Sequence, residues 1–185
     1  GLNGGWARFD GPAGTQMVDS AIRAMTEFAS SGINANTGGY FAAANECDAL
    51  LERTRGVLGT LFGANPEGIC LGANMTTMTM ALTRAIARTL KPGDRVVGTK
   101  LDHDANVSPW RIACDLSGAE HKLAPFSTST FELDTDAMIA LITPNTKWVA
   151  ITGASNLLGT APNLKPIIDA AHNVGARVFV DAVHL

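Results

Sequence analysis

The sequence predicts an α/β fold: a three-layer sandwich around a mainly parallel sheet. Three observations carry this. Helical and strand-like patterns alternate along the chain. The intervening helices are long enough to serve as right-handed crossovers. The runs "WVAI" (148–151) and "VFV" (178–180) are continuously apolar, as strands covered on both faces require.

The elements follow in order. Residues 16–31 place Met17, Ile22, Met25 and Phe28 at helical spacing. Asn45 reads as the cap of a second helix carrying Leu50, Leu51, Val57, Leu58, Leu61 and Phe62, closed by Gly63 and Pro66. A short strand is predicted at 68–71, "GICL". Met78, Leu82, Ala85, Ile86 and Leu90 form the apolar stripe of a third helix, and Pro92-Gly93-Asp94 turns the chain. "RVVGT" is a strand, and "NVSPWRIACDLSG" a helix with Pro109 in its first turn. "AEHKLAPF" is a strand. Asp134 or Thr135 starts a helix with Met138, Leu141 and Ile142. "KWVAITGAS" is strand and loop, "LKPIIDAAHNVGAR" a helix with Gly175 past its end, and "VFVDAV" the last strand.

A chain of 185 residues can bury one sizeable core. Its composition is that of a globular protein: 46% hydrophobic and 17% charged, with a net charge of −3. Lys and Arg are scattered, which argues against a nucleic-acid partner. No apolar run reaches the ~20 residues that span a bilayer, and the start does not read as a signal peptide. Cys47, Cys70 and Cys114 are odd in number and far apart, so neither a disulfide framework nor a zinc knuckle is predicted. A reducing cytoplasm fits this usage. Cys70, inside an apolar run, reads as inert core. The chain begins with Gly1, consistent with a trimmed N-terminus.

Ligands of open α/β sheets bind outside the carboxyl ends of the strands. The loops after residues 71, 98, 152 and 181 are therefore predicted to share one rim. The first opens a helix with Gly72-Ala73-Asn74-Met75-Thr76-Thr77. Its free N–H groups and helix dipole suit a phosphate, while the plain alternative is that Asn74 or Thr76 only caps the helix. The second holds His103 between Asp102 and Asp104. It could stack on a flat heteroaromatic ring, join a metal site or stand in solvent. The third offers Ser155 and Asn156, either as hydrogen-bonding groups or as an Asx turn. Asp181 ends a buried run, so it must be paired or hydrogen-bonded. It could cap a helix, bind Mg²⁺ or hold a ring nitrogen protonated.

Together "FDGPAGT" (9–15), "DHDANVSPW" (102–110), "SNLLGT" (155–160) and "FVDAVH" (179–184) resemble the class V aminotransferase family of pyridoxal-phosphate enzymes, in its cysteine desulfurase and selenocysteine lyase branch. The resemblance covers nearly the whole chain. It implies a partial fold-type-I transferase large domain over residues 1–185, the rest of that domain and a small C-terminal domain lying elsewhere in a longer protein. It implies that His103 stacks on the pyridine ring and that Asp181 pairs with the pyridinium nitrogen. Asn156 and His184 would lie by the phenolic oxygen, His184 where the family usually has glutamine. The turn Ala73-Asn74-Met75-Thr76 matches the phosphate-binding turn, usually Gly-Thr-Thr-Glu. His103 and Asp181 would be the catalytic pair, pyridoxal 5'-phosphate the cofactor, an amino acid the substrate and a homodimer the assembly.

The chain departs from the family pattern at three points. None of Lys91, Lys100, Lys122, Lys147 or Lys165 matches the Schiff-base lysine, so the fragment alone would be inactive. The substrate loop, Asn-Val-His-Arg-Gly in typical desulfurases, reads "NANTGGYF" (34–41), with Gly for Arg. No cysteine matches the sulfur acceptor. The family's range of reactions leaves desulfuration, elimination, transamination and racemisation open. Two rivals remain on the residues alone: a non-catalytic scaffold that binds a phosphate ligand, and a metal-dependent hydrolase using Asp102, His103, Asp104 and Asp181.

Overall fold

The computed structural model describes residues 5–185. The chain divides into a first unit ending at Leu71 and a second, Gly72–Leu185.

The first unit contains α1 (Asp19–Ser30), α2 (Ala42–Phe62) and two short 3-10 turns, Gly11–Ala13 and Pro66–Gly68. Helix α2 starts earlier than its sequence suggests. Phe41 is its N-cap, and Asn45 lies inside its first turn with its backbone N–H donating to the Phe41 carbonyl. Asn45 is therefore not a cap. Gly63 does end α2, in the left-handed conformation (φ 61°) that a side chain would resist. The strand expected at 68–71 does not form. Ile69 is extended, but a strand exists only through a ladder, and among the described residues this segment pairs with none. Cys70 is exposed there, so the reading of it as buried core is corrected. Cys47 is the buried thiol of this unit, accepting from Ala35 N–H at 3.3 Å.

The second unit runs α3 (Met75–Ala87), β1 (Arg95–Thr99), α4 (Ser108–Ser117), β2 (Glu120–Ala124), α5 (Thr135–Leu141), β3 (Thr146–Thr152), α6 (Leu164–Asn173) and β4 (Arg177–Asp181). The strands make one sheet in the order β2-β1-β3-β4, with every pairing parallel. Successive side chains point to opposite faces. On one face Val97, Val149 and Ile151 pack with Met138 of α5 and Ile167 and Ala171 of α6. On the other, Val96, Ala150 and Phe179 pack with Ile86 and Leu90 from α3 and its C-terminal extension, and with Trp110 and Cys114 of α4. The predicted three layers are realised here. Continuous apolar strands follow from this double coverage, because neither face meets water.

Local signals place the helices. The Asn74 side chain caps α3 by accepting from Thr77 N–H at 2.9 Å, and Asp134 caps α5 through Ala137 N–H at 2.9 Å. Pro109 sits in the first turn of α4, and Gly118 ends it at φ 74°.

His121 on β2 is the one described buried side-chain atom set without a partner: its Nε2 meets no hydrogen-bonding group. Burial holds its pKa below the ordinary imidazole value, reinforced by Arg111 and opposed by Asp115. A depressed histidine pKa contributes stability above its unfolded value and loses it as pH falls. His121→Leu is therefore expected to flatten the loss of stability below pH ~6.5 and to raise neutral-pH stability by about 1 kcal/mol. Urea unfolding at pH 7.5 and 5.5 measures both. An unchanged acid slope would contradict the assignment.

Candidate functional site

The chain leaves β1 for β2 on one side and returns to β3 on the other, so strand order reverses between β1 and β3. Such a switch point opens a crevice at the carboxyl ends of the strands, because successive connections depart in opposite directions. Thr99, Thr152 and Asp181 end β1, β3 and β4 on this one rim. Helix α3 runs antiparallel to the strands, so its N-terminus, at Asn74, stands on the same side. Its C-terminal end lies instead by Asp94, Lys147 and Arg177 at the opposite end of the sheet, where a cavity of about 460 Å³ opens. The rim is thus built from three strand ends and one helix N-terminus.

The residues after β1 form a hydrogen-bonded turn. The Thr99 hydroxyl accepts from Leu101 and Asp102 N–H, both at 3.1 Å, and donates to the Asp102 carboxyl in a short contact. Asn106 Nδ2 donates to the other Asp102 oxygen at 2.8 Å, and Trp110 Nε1 donates to Asn106 Oδ1 at 3.0 Å. Thr99, Asn106 and Trp110 are buried. Asp102 is pushed up to about 7 by burial; hydrogen bonds from Thr99 and Asn106 oppose the rise, and the negative charge of Asp181 adds to it.

His103 stands exposed at the tip of this turn. Its Nδ1 accepts from Ala105 N–H at 3.1 Å, which fixes the ring and assigns its acceptor nitrogen. Asp181 is 7% exposed. One oxygen accepts from Val183 N–H at 3.1 Å, and among the described residues no Lys or Arg forms an ion pair with it. Gly153 donates to the Asp181 carbonyl at 2.8 Å, so β3 and β4 stay joined to their last residues. A Cβ on Gly153 would stand 3.0 Å from Leu185 Cδ2, so the chain after β4 packs closely over this glycine.

Asn156 is half-buried in a loop closed by Ser155 N–H to the Thr160 carbonyl at 2.8 Å and Leu158 N–H to the Ser155 hydroxyl at 3.2 Å. Ala73, Asn74 and Thr76 are exposed at the start of α3, and Met75 is half-buried. Asn74 does cap the helix, but only through Thr77. The N–H groups of Met75 and Thr76 remain for another acceptor. His184 is exposed beyond β4. The metal alternative gains nothing: among the described residues no three His, Cys, Asp or Glu side chains converge on one point.

The sequence offers Asp102 as a loop acid or a metal ligand; the hydrogen-bonded chain linking it to Thr99, Asn106 and Trp110 is visible only in the fold. The four-residue spacing of Asp102, Asn106 and Trp110 was the available signal. It spans a 3-10 turn (Asp104–Asn106) and the start of α4, so plain helical periodicity did not reveal it.

The carboxyl of Asp181 is buried and, among the described residues, has no ion-pair partner, an acceptor that suits a protonated ring nitrogen. The open N–H groups of α3 fit a phosphate. Each of the two features has the chemistry of one end of pyridoxal phosphate. Loop 34–41 has its own constraint: a Cβ on Gly39 would lie 2.9 Å from Ala44 Cβ and 2.5 Å from the Phe41 ring, so the loop folds only with no side chain there.

Known proteins agree with this architecture. The pattern of the family described as aminotransferase class-V matches residues 8–185. The chain is 36% identical to the uncharacterized protein MT3887 of Mycobacterium tuberculosis over 97% of its own length and 45% of that protein's. It is 31% identical to a cysteine desulfurase of Enterobacter sp., over 95% and 43%. Among solved structures it resembles the cysteine desulfurase CsdA (S-sulfonic acid) of Escherichia coli, with a TM-score of 0.80 and 26% identity over 94% of this chain and 44% of that one. The chain thus spans less than half the length of the curated relatives it matches. Parallel strand order, a switch-point crevice and sequence likeness over nearly its whole length converge: the chain belongs to the aminotransferase class-V family.

Proposed function

We propose that this chain is the cofactor-binding first part of a pyridoxal-phosphate enzyme's large domain. The observation that carries the reading is the buried, uncompensated carboxyl of Asp181 on the rim that also bears His103 and the α3 N-terminus. The whole protein would act on an amino acid in a cysteine desulfurase-like reaction or a class V transamination. It would work as a homodimer in the cytoplasm, with its Schiff-base lysine outside the five lysines of this chain. No helix among the described residues is long and apolar enough to cross a membrane.

Bound pyridoxal phosphate supplies an electron sink for charge developing at a substrate Cα. The residues of the chain hold and tune it. The Asp181 carboxylate keeps a proton on the ring nitrogen, since an adjacent anion favours the cation. The N–H groups of Met75 and Thr76 would take phosphate oxygens, with the α3 dipole favouring the anion. His103, whose Nδ1 accepts from Ala105 N–H, would cover one face of the ring and exclude water from it. Asn156 and His184 would donate to the phenolic oxygen.

Titrating the chain with pyridoxal 5'-phosphate tests this. Quenching of tryptophan fluorescence should saturate at one ligand per chain, and His103→Ala should weaken binding by about 5- to 150-fold, the loss of one stacking contact of about 1–3 kcal/mol. Quenching that does not saturate, or that is indifferent to His103, would overturn the proposal.

A further inference from the structure

We infer that Asp102 is the positioning residue of His103: its carboxyl locks the turn after β1 to the strand end and to α4, and so fixes where the exposed imidazole stands on the rim. The part played by the imidazole rests on the function proposed above; the lock itself does not.

Every bond of the lock has a forced direction. An indole N–H only donates, so Trp110 must face Asn106 Oδ1, at 3.0 Å. That turns Asn106 Nδ2 toward one Asp102 oxygen, at 2.8 Å. The Thr99 hydroxyl already accepts from Leu101 and Asp102 N–H, so its single hydrogen goes to the other Asp102 oxygen. Both carboxyl oxygens therefore accept, one from the end of β1 and one from the buried turn. An amide at position 102 does not fit, because its own N–H groups would meet a donor on either side.

His103 sits inside this frame. Residues 102 and 106 close across it through their side chains, and Asn106 N–H donates to the His103 carbonyl at 2.8 Å. Ala105 N–H donates to its Nδ1 at 3.1 Å, which leaves the hydrogen of the neutral ring on Nε2. Ala105, Asn106 and Trp110 are buried, while His103 is exposed. The fold thus presents an exposed imidazole from a backbone anchored in the core.

Closing the turn does not require the whole chain of bonds. The N–H groups of Leu101 and Asp102 on the Thr99 hydroxyl, and of Asn106 on the His103 carbonyl, already do so. Apolar side chains at 102 and 106 would avoid taking an acid and an amide out of water. A fully satisfied polar network adds a single geometry, since each donor has one acceptor in one direction. Supporting residues of this kind hold a binding group to within about 0.5 Å.

The test uses the whole protein at pH 8 with Thr99→Val, Thr99→Ser and Asp102→Asn, each shown to be folded by urea unfolding. Val keeps the volume of Thr99 and loses the hydroxyl; Ser keeps the hydroxyl. With the cofactor removed and histidine labelled at its ring nitrogens, the signal lost in His103→Ala identifies the ring. It should report the Nε2–H tautomer alone in the wild type and in Thr99→Ser, and a mixture of tautomers in Thr99→Val and Asp102→Asn. Affinity for pyridoxal 5'-phosphate should fall at least about fivefold in Thr99→Val and Asp102→Asn, and be kept in Thr99→Ser. Added to His103→Ala, the same two changes should cost less than about twofold, because a residue that acts through His103 has nothing left to position. Equal losses with and without His103 would give the lock a general structural role and overturn the inference. An unchanged tautomer in Thr99→Val would overturn it as well. If Asp102→Asn does not fold, the two Thr99 variants decide. A wild type that binds no pyridoxal phosphate, with the tautomer change intact, upholds the lock and overturns the cofactor reading instead.

Discussion

Asp181→Ala is expected to weaken pyridoxal-phosphate binding by about 10²–10⁴-fold while changing folding stability by less than about 1 kcal/mol. The affinity loss follows from removing one partner of a desolvated ion pair, typically about 3–5 kcal/mol. The small stability effect follows from the contacts of Asp181 in the chain alone: a single hydrogen bond from Val183 N–H, set against the repulsion it imposes on Asp102. Most buried acids behave oppositely, because they are paired within the fold. Ligand titration and urea unfolding of the same variant separate the two quantities. A loss of affinity under tenfold, or a large loss of stability with affinity kept, would assign Asp181 a structural role. In the whole enzyme the same substitution should depress turnover far more than it depresses folding.

Trp110→Ala is expected to cost about 4–6 kcal/mol. The ring is fully buried, 5.5 Å from Trp148 and 5.6 Å edge-on to Phe179 between centroids, so its removal leaves a large cavity under the sheet. Truncating a core tryptophan costs about 3–5 kcal/mol, and orphaning Asn106 Oδ1 adds about 1 kcal/mol or more. This is a large share of a domain's typical net stability of about 5–15 kcal/mol. Trp110→Phe divides the loss: most of the packing stays, while the N–H and a minor part of the ring volume are removed. It should cost about 1–3 kcal/mol and still disturb the Asp102 turn. Urea midpoints for both variants check this. If Trp110→Phe proved as damaging as Trp110→Ala, the hydrogen bond to Asn106 would outweigh the packing.

Much of this molecule was legible before folding. Strands β1, β3 and β4 announced themselves as apolar runs, and the caps Asn74 and Asp134 as the right residue types before helical stripes. The segment 68–71 shows the limit of that reading. "GICL" has the composition of a strand, but a ladder needs a partner, and composition does not say whether one is present. Asn45 shows another. An Asn before an apolar stripe is a good cap by type, yet α2 starts at Ala42, directly after the extended Phe41, on three alanines of high helix propensity. Cys70 erred with its segment, since its burial had been inferred from a strand that does not form.

The order of local patterns along the chain determined the layered α/β class, the polarity of the sheet and the presence of a carboxyl-end rim, because periodicity and crossover length are local properties. Local patterns also marked His103, Asn156 and Asp181 as rim residues. Only the tertiary structure decided what Asp102 is. Its partners come from a strand end, a turn and a buried helix, and its proton affinity depends on an acid at the end of another strand. Desolvation and electrostatic fields are set by what surrounds a group in space, and sequence adjacency carries no record of that.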